Sequence, residues 1–184
     1  HRDLHSFPTR RSSDLFDYGL QCARQAQDLS QQLGDQRGEI DARLKYCELA
    51  DLAGEHANLQ AQAEEALRMA EHIAYTAGMA RAKLVLATIA YHAGEDQAAI
   101  QYVLPSIALW RELQSPFELA TALNRLGGAL VEIHEYTAGR QAYEECRDIY
   151  QSLGYRRGVA LATQNLGDVA QHIGDYARAR ALFC

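Results

Sequence analysis

At 184 residues, 48% hydrophobic and 23% charged, the chain has the composition of a folded, water-soluble protein. Its formal charge of −6 comes with no basic stripe, which excludes direct nucleic-acid binding by this segment. No apolar run approaches the roughly 18 residues that span a bilayer, and no charged-then-apolar leader directs secretion, so the expectation is a cytoplasmic protein with no membrane contact.

Residues 1–15 are unlike the rest. They carry Pro8, the hydroxyls of Ser6, Thr9, Ser12 and Ser13, and the pair Arg10-Arg11, with no helical periodicity. They also coincide, residue for residue, with a reading frame of a common short-read sequencing adapter. The segment is therefore expected to be a non-native, adapter-derived, disordered leader and is set apart from the fold. Removing its three Arg and two Asp makes the remainder slightly more acidic. The start His1-Arg2-Asp3-Leu4 copies a kinase catalytic loop, but Pro8 stands where the magnesium-holding Asn belongs, no glycine-rich loop precedes it and no Asp-Phe-Gly follows, so kinase chemistry is not expected.

From Phe16 onward the chain repeats every 40 residues: Gly54-Glu55 aligns with Gly94-Glu95, His134-Glu135 and Gly174-Asp175. Gly38, Gly78 and Gly158 also align, as do Leu33, Ile73, Leu113 and Leu153, and Gly34 and Gly154 fall just past helix ends, where glycine enters the left-handed region without a Cβ penalty. Helices are expected over 16–33, 38–53, 56–73, 78–93, 96–113, 116–133, 136–153, 157–173 and from 175, with repeat units near 16–37 (partial), 38–77, 78–115, 116–156 and 157–184 (truncated). Leu119, Ala120, Leu123, Leu126, Gly127, Leu130 and Ile133 make one apolar stripe, and Ser115, Pro116 and Glu118 supply an N-cap, a first-turn proline and a capping-box acid. Pro105 falls inside a helix, which it is expected to kink or shorten, with irregular stacking there. The four cysteines, Cys22, Cys47, Cys146 and Cys184, lack metal-ligand or redox spacing and read as small core residues.

Leu126, Gly127, Leu130, Gly139, Tyr143 and Cys146 follow the large, small, large, small, aromatic, small order of the tetratricopeptide repeat, which this chain resembles. Leu166, Gly167, Ala170, Ala179 and Phe183 do the same one unit on, and Leu86, Ala87 and Ala99 more loosely one unit before. The resemblance implies an all-α, right-handed superhelix of antiparallel helix pairs, about nine helices in all. The period of 40 exceeds the family's usual 34 and is similar to the arrays of large bacterial transcriptional regulators and signalling ATPases of the maltose-regulator type. Without polar capping helices at either end, the chain is expected to be a fragment of such a protein and prone to self-association.

No hydrolase elbow, phosphate loop or zinc-protease motif occurs, so no enzyme activity, catalytic residue, metal or cofactor is expected. The histidines His56, His72, His92, His134 and His172 read as turn-proximal surface groups, and Glu64-Glu65 and Glu144-Glu145 as an acidic outer face. The resemblance places partner contacts on the first helices. Its contact positions hold Arg81, Thr88, Tyr91 and His92, then Asn124 and Arg125, then Gln164, Asn165 and Asp168, a mixed lining that suits a protein or peptide. The Lys and Asn set with which some members clamp a terminal carboxylate is not reproduced. The expected role is thus a non-catalytic binding scaffold within a larger regulator. The alternative is a structural spacer or self-assembly solenoid that packs on neighbouring domains.

Overall fold

The computed structural model describes residues 12–55 and 57–183. Among these the chain forms nine helices and no strand: α1 (Ser12–Leu33), α2 (Gln36–Ala53), α3 (Leu59–His72), α4 (Thr76–His92), α5 (Asp96–Glu112), α6 (Pro116–Glu132), α7 (Tyr136–Ser152), α8 (Arg156–His172) and α9 (Tyr176–Phe183). From α4 to α8 each helix is 17 residues long. Each helix packs on the next in order, so the chain is a stack of antiparallel hairpins.

The turns explain the regularity. A residue with positive φ recurs every twenty positions, at Gly34, Gly54, Ala74, Gly94, Gln114, His134, Gly154 and Gly174. At each, its N–H donates to the carbonyl three residues back and the following N–H to the carbonyl five back, as in Gly54 to Asp51 (3.1 Å) and Glu55 to Ala50 (2.8 Å). This double bond closes the helix and satisfies two of its orphan carbonyls. Ala74 and Gln114 hold the same geometry at φ 53° and 51° against a Cβ clash of about 1–2 kcal/mol. Ala74→Gly should therefore raise stability by about 0.5–1 kcal/mol, because relief of the clash exceeds the added freedom of the unfolded glycine. A lower melting temperature for this variant would contradict the turn geometry.

Several expectations change. The helix α1 begins at Ser12, so residues 12–15 are helical rather than irregular, while 1–11 lie outside the described residues. The helix α3 begins at Leu59 instead of position 56 because Asn58 takes a left-handed conformation (φ 61°). Ser115 sits at the N-cap of α6, but its side chain accepts no capping hydrogen bond, so the capping box does not form. Asp35 does cap α2, accepting from the Gly38 N–H at 3.0 Å. Pro105 does not shorten α5, which runs its full length through the proline and packs on both α4 and α6.

Inside the stack, small residues face large ones. A Cβ on Gly127 would stand 2.7 Å from the Tyr143 ring, and one on Gly167 2.5 Å from Phe183. The second unit uses Ala87 against Val103, both fully buried. Gly139 lies so near α6 that a Cβ would meet Val131 at 2.9 Å and the Gly127 carbonyl at 3.2 Å. Leu86, Ala99, Leu166 and Ala179 are buried, Leu126 and Leu130 are partly buried against the same core, and Phe183 stays 46% exposed.

Cys47 and Cys146 are fully buried, as expected of core residues, whereas Cys22 lies exposed on α1 and Cys184 is outside the described residues. Burial pushes the Cys47 thiol up to about 11 and the Cys146 thiol up to about 12. A brief iodoacetamide pulse at pH 8, read by peptide mapping, should label Cys22 and spare both buried thiols until the chain is unfolded. Equal labelling would contradict this packing.

Candidate functional site

The even-numbered helices form one surface. The backbones of neighbouring members approach each other, α2 with α4 and α4 with α6, whereas α5 and α7 are bridged by the long side chains of Arg111 and Glu145. The outward side chains of α2, α4 and α6 share one side of the stack and line a common cleft there.

Along this surface, polar side chains bridge adjacent hairpins. Arg81 on α4 donates to Glu48 on α2 at 2.9 Å and lies 3.6 Å from Asp41. Lys45 also pairs with Glu48, at 3.1 Å. Burial alone would raise the Glu48 pKa, but the hydrogen bond and charge of Arg81, aided by Lys45, hold it below the usual carboxylate range. His92 Nδ1 meets the buried Asp51 carboxylate at 2.8 Å. Asn165 Nδ2 donates to Asn124 Oδ1 at 2.9 Å, and the Arg125 guanidinium lies 4.7 Å from the centre of the Tyr91 ring. Tyr91 in turn covers Gly128, where a Cβ would come within 3.3 Å of the ring.

The structure places seven of the nine residues singled out from sequence in two clefts. Arg81, Thr88, His92 and Arg125 line a cleft of about 300 Å³ between α2, α4 and α6, floored by Cys47, Leu52, Leu84, Val85 and Ile89. Tyr91, Asn165 and Asp168 line a second, more polar cleft of about 270 Å³. Gln164 sits apart, with Asp168, in a shallow recess beside Phe183. Asn124 lines none of these clefts and is engaged by Asn165. Sequence reasoning did not single out Glu48, Asp51 and Leu52, although they follow the same register one repeat earlier.

Elsewhere the expected surface groups also find partners. Glu144 and Glu145 do not form a free acidic face: Glu144 pairs with Arg178 on α9 and Glu145 with Arg111 on α5, each at 2.8 Å. His134 Nδ1 meets the Tyr136 hydroxyl at 2.8 Å, and His172 stacks on the Tyr136 ring at 5.6 Å. His56 lies outside the described residues. Among the described residues no His, Cys, Asp and Glu group is placed to hold a metal, and no helix is long and apolar enough to cross a membrane.

Stacked antiparallel hairpins with small-against-large packing and a polar-rimmed groove along one set of helices define a helical-repeat solenoid. Residues 118–184 match the tetratricopeptide-repeat family, and the hairpins before them have the same fold. No curated protein sequence matches the chain. Among solved structures, BtubC (BKLC) from P. vanneervenii is 16% identical with a TM-score of 0.76 over 91% of this chain and 70% of that one. A Rap protein complexed with competence and sporulation factor is 13% identical with a TM-score of 0.82, over 92% of this chain and 47% of that one, so this chain spans about half its length. MamA is 21% identical with a TM-score of 0.60, over 85% of this chain and 90% of that one. At these identities the likeness is one of fold.

Proposed function

We propose that this chain is a non-catalytic, peptide- or protein-binding scaffold, and that it serves as the sensor or interaction segment of a larger bacterial cytoplasmic regulatory or signalling protein. The observation that carries the reading is the cleft between α2, α4 and α6, in which three successive hairpins contribute an apolar floor and a charged rim. Such a lining grips a side chain by burial and orients a backbone by its polar edge. The fold likeness to a Rap protein crystallised with competence and sporulation factor supports a sensing role.

The test is selection of random peptides displayed on phage against the folded chain, followed by titration of the selected peptides into a Thr88→Arg variant. The substitution fills the cleft with a long side chain and leaves no room for a peptide side chain. Binding should fall at least about tenfold while the melting temperature is unchanged. Selected peptides that bind the variant equally well would move the site elsewhere.

The spacer reading has one observation in its favour. Leu29 and Leu33 on α1 are 55% and 73% exposed, an apolar edge that a packed neighbouring segment would cover. It predicts that no peptide is selected by the groove.

A further inference from the structure

Taking the peptide-binding reading as its basis, we infer that the α2–α4–α6 cleft selects a segment presenting a carboxylate side chain beside an apolar one, the carboxylate pairing with Arg125 and the apolar group resting on Leu52, Leu84 and Ile89.

The charges in the cleft decide the sign of the occupant. Glu48 is held by Arg81 and Lys45, and Asp51 by His92. The acids are therefore engaged, and an incoming cation would have to displace a basic partner already in place. Arg125 is different. Among the described residues its guanidinium lies over the face of Tyr91 and feels the charge of Asp51, and no carboxylate forms an ion pair with it. Burial disfavours its charged form and pulls its pKa down even against the charge of Asp51, so the cleft holds a partly desolvated cation. The Tyr91 face holds the guanidinium in place from one side, and a guanidinium's N–H fork matches a planar, two-oxygen acceptor. A carboxylate there would replace lost hydration and gain from the lowered dielectric.

The apolar half follows from the floor. Leu52 is 65% exposed although it borders the cleft, and Leu84 and Ile89 are partly covered. A single aliphatic side chain fits a space of about 300 Å³. Its burial supplies affinity, while the carboxylate supplies selectivity.

The experiment uses the full chain and an array of end-capped peptides in which Leu is followed by Glu, Gln or Lys in a Gly/Ser background. Blocked ends keep terminal charges out of the comparison. Leu-Glu peptides should bind about tenfold more tightly than Leu-Gln or Leu-Lys, and the preference should shrink as salt is raised. Arg125→Gln should abolish the Glu-over-Gln preference yet keep the weaker apolar binding, and Arg125→Lys should restore part of it. Arg125→Glu should turn the preference toward Lys. A Glu preference that survives Arg125→Gln, or a Lys preference in the wild type, overturns the inference while leaving peptide binding intact. Tight binding of inorganic phosphate with no peptide discrimination would also overturn it and mark a small-anion site. Absence of binding to every peptide would instead remove the scaffold reading on which the inference stands.

Discussion

Placing alanine at Gly127 is expected to destabilise the protein by about 1–2 kcal/mol, and adding Tyr143→Val to the same chain is expected to cancel most of the clash. Two effects compete at Gly127. It lies inside α6, where alanine is favoured over glycine by about 1 kcal/mol. Against that, the new methyl would stand 2.7–2.9 Å from three ring carbons of Tyr143. That ring is only 7% exposed and wedged against Leu166 and Val169, so it has nowhere to swing. Overpacking of this kind costs about 1–3 kcal/mol, and the ring wins. Tyr143→Val alone opens a cavity and costs about 3 kcal/mol. The double variant recreates the Ala87 and Val103 pair of the preceding hairpin, where both residues are fully buried without conflict. Urea unfolding of the four proteins should therefore give a coupling of about 2 kcal/mol. Additive costs would mean that the two positions do not read each other across the hairpin.

Pro105→Ala is expected to stabilise the protein by about 2 kcal/mol. The proline lies inside α5, which continues through it for its full 17 residues. It therefore bears the whole cost of a missing amide and a ring pressed on the preceding turn, about 3 kcal/mol. Proline returns up to about 1 kcal/mol by stiffening the unfolded chain, which leaves the net gain stated. Pro105 and Gln101 both lie on the exposed face of α5, where water can meet the carbonyl left without a donor. This placement accounts for an unbroken helix at a residue that the pattern alone reads as a break. A melting temperature that falls in the variant would show that Pro105 positions α5 against α4 and α6.

What the sequence discloses here depends on how far apart the interacting residues stand in the chain. The turns were legible because Gly34, Gly54, Gly94, Gly154 and Gly174 mark positive φ at the residue that adopts it. Small-against-large packing was legible because Gly127 and Tyr143 meet across a single hairpin. The state of the groove was not. Arg81 and Arg125 look alike as candidate contacts, yet Arg81 is neutralised by Glu48, 33 residues earlier, and Arg125 meets an aromatic face instead. His92 and Asn165 are engaged by residues 41 positions away, Asp51 and Asn124, and no local pattern announces those pairs. Cys22 misleads for a related reason: its small apolar character suggests a core, but α1 presents it outward.

The twenty-residue recurrence of left-handed turns has a consequence for how such a chain can grow. A cut at any one of these turns separates complete helices, and cuts at two alternate turns, such as Gly54 and Gly94, isolate one hairpin with a reversing joint at each end. Copying that hairpin in place returns every reversing residue to a joint and every small residue to a bulky opposite. The 40-residue period of the sequence and the mechanical unit of stacking thus coincide, so that an array of this kind could change in length by whole hairpins while each surviving joint keeps its backbone conformation.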